Sequence, residues 1–332
     1  MPTTTPAHPD HAHRPDREPG TPVGLSEGVE MAAEVARAAE GQGEVAHYIA
    51  PLAAVEPTRF ALVASELDGT EHHEGDVDHA FAIQSISKVF SLVLALRAAD
   101  QEGSGVEDEL WCRVGREPSG DPFNSLVQLE RERGIPRNPM INAGAIVVDD
   151  VLLHHLDDPV AETCSLLSEL CGEEVGLDRE VLEAEQGASH RNRSLAHLMA
   201  DFGNLHHDLQ DVLDSYIGAC AISMSSRQLA RAARFLANDG MDPATGRRVL
   251  AAPLARRVNA LMLTCGTYDA AGEFAFSVGL PCKSGVAGAI LAIAPDRLAA
   301  CAWSPPLDTA GNSVAGRIAL HELAERCDLS VF

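Results

Sequence analysis

The sequence predicts an α+β protein: an antiparallel sheet drawn from both ends of the chain and flanked by helices, with a mainly helical lobe inserted between its halves. Three observations carry this. Strand-like apolar segments occur early, at 60–66 and 71–76, and others recur late, at 274–278, 285–294 and 298–303. Between about 144 and 263 the apolar residues instead return every three or four positions, which is the helical period. A chain of 332 residues is long enough to bury a sizeable core around such a sheet.

Taken in order, residues 1–22 are dense in Pro, Thr, His and Asp and are expected to form an unfolded tail. The folded part is expected over 23–332, with an α/β lobe of about 23–105 and 264–332 and a helical lobe of about 106–263. Ser26 can cap an Ala-rich helix running to about Glu40, ended by Gly41 and Gly43. Asp68-Gly69 is a hairpin signal joining 60–66 to 71–76. A helix follows over 85–99, with Val89, Leu92, Val93 and Leu96 as its apolar stripe. The stretch 102–139, with Gly and Pro throughout, reads as loop. Helices are then expected at 145–155, 159–171, 194–202, 207–218, 226–238 and 253–263. Pro295-Asp296 turns the chain between the last two strands, and a final helix spans 312–327.

Composition excludes several functions. The formal net charge of −24 and a pI of about 4.8 repel phosphate backbones and anionic bilayers, and no basic cluster interleaved with aromatics offsets this. Nucleic-acid and membrane partners are therefore not expected. Residues 1–22 hold no apolar signal core, and no run of about 18 apolar residues appears, so a cytoplasmic protein is expected. The eight cysteines form no CxxC or zinc spacing and read as small buried apolar residues. His8, His11 and His13 read as solvated tail histidines, and His321-Glu322 lacks the second His of a zincin motif. No metal or other cofactor is expected.

Only two of the 25 basic residues are lysines, and both sit where chemistry would want them. Lys88 lies in Gln84-Ser85-Ile86-Ser87-Lys88, and Lys283 in Lys283-Ser284-Gly285. Arg is always charged, whereas a buried Lys can give up its proton and serve as a base. Ser85 and Lys88 are three apart, so on a helix Nζ can reach Oγ. This Ser-x-x-Lys pair, followed far along the chain by Lys-Ser-Gly, resembles the serine β-lactamase and penicillin-binding class.

Longer blocks are more specific. They are Phe81-Ala-Ile-Gln-Ser-Ile-Ser-Lys-Val-Phe90, Glu117-Pro-Ser-Gly, Asn138-Pro-Met-Ile-Asn-Ala-Gly-Ala-Ile-Val147, Leu280-Pro-Cys-Lys-Ser-Gly-Val-Ala-Gly288 and Trp303-Ser-Pro-Pro-Leu-Asp308. In this order they resemble the serine-dependent glutaminases, from about Tyr48 to the C-terminus. The resemblance implies a β-lactamase/DD-peptidase-like fold, a homo-oligomer (dimer or tetramer), and hydrolysis of L-glutamine to L-glutamate and ammonia. It implies Ser85 as nucleophile, Lys88 as base, and Tyr216 and Tyr268 at the reacting centre. Asn142, Glu185 and Asn192 would grip the amino-acid end of glutamine, Val286 N–H would join that of Ser85 in an oxyanion hole, and Tyr48 and Gln84 would line the pocket. Lys283 would be structural or electrostatic. The chain departs from the family at His190, where an Asp is usual, around Tyr216, where an aromatic and a Gln are missing, and after Tyr48, where the Pro is shifted by one.

The chemistry suits these residues. Ser is inert until a base removes its proton, and a desolvated Lys88 can be neutral enough to do so. A tetrahedral oxyanion needs two N–H donors. Either Tyr216 or Tyr268 can relay a proton to the leaving ammonia. Glu185 suits an α-ammonium, and Asn142, Asn192 and a tyrosine hydroxyl suit an α-carboxylate. Two competing readings are a β-lactamase or D-Ala-D-Ala peptidase, which calls for an export signal, and a non-catalytic amino-acid-binding homologue, which has no use for the paired lysines.

Overall fold

The structure is a computed structural model and describes residues 22–99 and 105–332. The expected tail therefore lies outside the described residues except for Pro22, as do its three histidines. In chain order the first half comprises α1 (Leu25–Arg37), β1 (Glu44–Val45), α2 (Ala50–Ala53), β2 (Ala61–Glu66), β3 (Glu71–Gly75), β4 (Ala80–Ala82), a 3₁₀ turn (Gln84–Ile86), α3 (Ser87–Ala99), α4 (Val106–Arg113), α5 (Leu126–Arg131), α6 (Asn142–His155) and α7 (Pro159–Cys171). There follow β5 (Gly176–Leu177), α8 (Arg179–Ala188), α9 (His190–Asp201), α10 (Leu209–Cys220), β6 (Ile222–Ser225), α11 (Ser226–Ala237) and α12 (Ala252–Cys265). The chain closes with a 3₁₀ turn (Tyr268–Ala270), α13 (Ala271–Ser277), β7 (Cys282–Gly285), β8 (Ala289–Ala294), β9 (Leu298–Trp303), β10 (Pro306–Leu307) and α14 (Val314–Arg326).

The main sheet has the order β3-β2-β9-β8-β7, and every neighbouring pair is antiparallel. Both ends of the chain contribute to it, as predicted. Its residues alternate between two cores. Ala61, Val63, Leu291, Ile293 and Cys301 join the core shared with α3, α6, α10 and α11, whereas Leu62, Ala64, Ile290, Ala292 and Ala300 pack with α1 and α14. Both faces are covered, so β8 and β9 are buried at every residue and read as apolar runs rather than alternating strands. α11, from the middle of the chain, lies across β2, β8 and β9 and also packs on α7, so this helix joins the sheet to the helical half. Among the described residues no helix is long and apolar enough to cross a membrane.

Several expected elements are corrected. Ser26 does not cap α1: the N-cap is Gly24, without a side-chain hydrogen bond, and the helix ends at Arg37 rather than near Glu40. The segment 102–139 is not all loop, since α4 and α5 occupy part of it. α4 escaped notice because its buried stripe is Val106, Leu110 and Arg113, the last paired with Asp150. The expected strand at 274–278 is the end of α13, where Phe274 is buried and Phe276 is 89% exposed, a local imitation of β alternation. The expected strand 285–294 is β8 from Ala289 to Ala294, while its start is the end of β7 at Gly285 and the turn between the two.

Candidate active site

A small second sheet, β4-β6-β5, delivers the candidate nucleophile. Ile83 N–H donates to Ile222 O at 2.8 Å, and the chain then turns through Gln84–Ile86 into α3. Gln84 has φ +50°, a left-handed conformation that costs a non-glycine residue about 1–3 kcal/mol. Tyr268 is held at φ +60°. Such strain gathers where the surrounding structure fixes a site.

β7 runs against the Ser85 turn. A Cβ on Gly285 would stand 2.7 Å from Ile83 O, so only glycine lets the strand end come this near. Val286 follows in a turn closed by Gly288 N–H on Gly285 O at 2.9 Å. The Trp303 indole N–H donates to Ala287 O at 2.9 Å and pins the same turn.

Lys88 is 2% exposed. The sequence suggests a hydrogen bond to Ser85, yet Nζ donates to Asn142 Oδ1 at 2.6 Å. Nζ also lies 5.7 Å from the Tyr216 ring centroid. Burial lowers its pKa to about 8, with Cys220 and Asp149 acting in the opposite sense. Lys283 is fully buried, donates to Ser284 O at 2.6 Å and stands 4.6 Å from the Tyr268 ring centroid. Burial, then the charge of Lys88, holds it well below the ordinary lysine range. The two lysines thus belong to one electrostatic unit.

Asn142 opens α6 and Asn192 lies on α9; Asn142 Nδ2 donates to Asn192 Oδ1 at 3.0 Å. Glu185, 8% exposed on α8, accepts from Tyr48 Oη at 2.6 Å and from Gln84 Nε2 at 3.0 Å. A single residue, Ser189, joins α8 to α9, so Glu185 and Asn192 reach the same cleft from two helices. Half of Tyr48 is exposed, but its hydroxyl is enclosed; burial, then the Glu185 carboxylate, pushes the phenol far above its usual range.

Tyr268 donates to Ser284 O at 3.1 Å, and its ring centroid lies 4.7 Å from that of Phe123. Burial raises its pKa, and the Ser85 hydroxyl beside it acts in the opposite sense. Burial likewise keeps Tyr216 protonated, its hydroxyl meeting the Cys220 thiol. Both phenols are therefore proton donors at neutral pH.

These side chains surround a cleft of about 200 Å³, below the roughly 300–1,000 Å³ of pockets for drug-sized ligands and suited to one small metabolite. Its wall includes Tyr48, Gln84, Ser85, Asn142, Glu185, Asn192, Tyr216 and Val286. Lys88 and Tyr268 are buried at its edge through their contacts with Asn142 and Ser85. Sequence reasoning missed Phe123, Asn124, Arg191 and Cys220 on this wall. Arg191 adjoins Asn192, which was a usable signal; the Phe123-Asn124 loop offered none.

An antiparallel sheet with a Ser-x-x-Lys pair at the mouth of a helical half is the architecture of the β-lactamase-like class. Within that class the chain belongs to the glutaminase family, whose profile matches residues 43–332. It is 51% identical over 306 residues to a glutaminase of Mesorhizobium japonicum, covering 91% of this chain and 95% of that one. It is 52% identical over 303 residues to a glutaminase of Methylobacterium sp. (strain 4-46), covering 90% and 96%. Among solved structures, the probable glutaminase ybaS superposes with a TM-score of 0.84 at 34% identity, over 92% of this chain and 99% of that one. A Bacillus glutaminase in 4.3 M NaCl gives 0.83 at 31% identity, over 93% and 100%. The protein is an amidohydrolase whose reaction is that of its family, L-glutamine to L-glutamate and ammonia.

Proposed function

We propose that this hydrolysis runs through an acyl-enzyme on Ser85, with Lys88 as the base. The observation that carries the reading is a lysine 2% exposed, one turn beyond a pocket-lining serine and held at 2.6 Å by Asn142. Neutral Lys88 takes the Ser85 proton as Oγ adds to the side-chain amide carbon. The backbone N–H groups of Ser85 and Val286 receive the oxyanion. The proton passes to the amide nitrogen through Tyr268, whose hydroxyl meets that of Ser85, with Tyr216 close to Lys88 in support. Ammonia leaves, and water attacks the ester with Lys88 again as base. Glu185 pairs with the α-ammonium, while the Asn142 and Asn192 amides and a tyrosine hydroxyl hold the α-carboxylate. Tyr48 and Gln84 aim Glu185.

The pH dependence tests this. Below its pKa Lys88 is an ammonium and cannot accept a proton, so kcat/KM should fall as pH drops through about 8 and level off above it. Lys88→Arg should be nearly inactive at every pH, because guanidinium does not deprotonate. An active Lys88→Arg enzyme would reduce Lys88 to a positive charge and move the base to Tyr216 or Tyr268.

Gly285→Ala should fold, by circular dichroism, yet release ammonia roughly 10²-fold more slowly. The added methyl must displace the strand end that carries Val286, and about 1 Å at a reacting centre has that effect. Wild-type turnover in this variant would remove the oxyanion role from the 285–286 strand end.

The proposal extends to a homo-oligomer, dimer or tetramer, in the cytoplasm. Phe276 and Phe332, 89% and 82% exposed, offer apolar surface for association. Eight unpaired cysteines suit a reducing compartment. Sedimentation showing only monomer, or fractionation showing export, would remove the respective part.

A further inference from the structure

Asp149 stands on α6 seven residues after Asn142, two turns along the same helix face. It is 2% exposed and accepts a hydrogen bond from Ser215 Oγ, on α10, at 3.1 Å. Ser215 precedes Tyr216, whose ring lies against Lys88 Nζ. α3, α6 and α10 pack on one another, so Lys88, Asn142, Asp149, Ser215 and Tyr216 form one buried cluster. The neighbouring Asp150 serves a different end: it pairs with Arg113 and accepts from the backbone N–H groups of His206 and His207. Asp150 thus has a structural partner set. Among the described residues Asp149 has one neutral hydrogen-bond donor, Ser215, and a buried carboxylate so lightly satisfied is costly to keep.

We propose that Asp149 is a positioning residue for the nucleophile's base: its buried carboxylate stabilises Lys88 as the ammonium and so sets the pH at which the base becomes available. The inference rests on the reading of Lys88 as base. The titratable groups around the cluster are Lys88 on α3, Tyr216 and Cys220 on α10, Lys283 on β7, on which Lys88 acts, and Glu185 and Tyr48, which act on Tyr216. Burial raises the Asp149 pKa to about 7, with Ser215 and then Lys88 acting in the opposite sense. Above neutrality the carboxylate is therefore negative, and Lys88 feels it as a charge that favours its protonated form.

The test is the pH profile of kcat/KM for L-glutamine with the full chain, comparing wild type with Asp149→Asn and Ser215→Ala. Removing the negative charge lets Lys88 lose its proton more easily, so the acid limb of Asp149→Asn should move toward lower pH by about one unit, the low end of charge-pair effects. Ser215→Ala withdraws the donor that favours the carboxylate and should move the limb in the same direction by less. A limb that stays in place, or a uniform loss at all pH values, would give Asp149 a structural role only. A shift to higher pH would also overturn the proposal. Should Asp149→Asn fail to fold, Ser215→Ala decides by the same criteria. A wild type without an acid limb would sink the reading of Lys88 itself, whereas a limb present and unmoved would sink only the part given to Asp149.

Discussion

Ser85→Ala is expected to lower kcat for L-glutamine roughly 10³-fold or more, with Lys88→Ala doing the same and the double variant little worse, because nucleophile and base act as a unit. The fold should survive all three. Ser85 is a small side chain on a turn held by Ile83, and without Lys88 the Asn142 side chain keeps its hydrogen bond to Asn192. Ser87 supplies the control. Its Oγ donates to Gln84 O at 2.8 Å, so it braces the turn and has no role in the proposed reaction. Ser87→Ala should therefore lose far less activity. Ammonia release under saturating glutamine is the measurement, and comparable losses at Ser87 and Ser85 would reassign the nucleophile.

Glu185→Gln is expected to act mainly on KM. A Gln side chain can still accept from Tyr48 and Gln84, so the cleft keeps its shape while the counter-charge for the substrate ammonium is lost. Breaking one partner of a buried charge pair costs about 2–5 kcal/mol, so binding should weaken by roughly 30-fold to several thousandfold. The same proposed anchoring predicts selectivity. With the α-groups held by Glu185, Asn142 and Asn192, the carboxamide of asparagine falls one methylene short of Ser85, and its hydrolysis should be far slower. Equal rates on the two amides, or an unchanged KM in Glu185→Gln, would take the anchoring role from these residues.

Much of this was legible in the sequence, and what was not has a few distinct physical causes. The sheet could be read because its strands are apolar at both ends of the chain, and most middle helices because their stripes are Leu, Val and Ala. α4 and α8 were missed. Each buries a charged side chain within its stripe, Arg113 beside Leu110 in one and Glu185 beside Val181 in the other. Periodicity counts such residues as polar and so as outward-facing. Asp149 was missed for the same reason, since on an apolar helix it looks like a break in the pattern rather than part of the site. The lysines were visible because their scarcity set them apart. Their hydrogen bonds were not, because the partner of Lys88 is Asn142, 54 residues away, and spacing along one helix points only to Ser85. Phe274 and Phe276 show the opposite error, in which two aromatics two apart imitate a strand on a short helix.

Partitioning between water and hydroxylamine decides whether a covalent glutamyl intermediate forms on Ser85. L-Glutamine and an L-glutamate γ-ester have different leaving groups but would yield the same acyl-enzyme. With hydroxylamine present, both should give γ-glutamyl hydroxamate and glutamate in one common ratio at every extent of reaction. Ser85→Ala should form neither product above the uncatalysed background. Ratios that differ between the two substrates would mean that water attacks the bound substrate itself, and would contradict the acyl-enzyme.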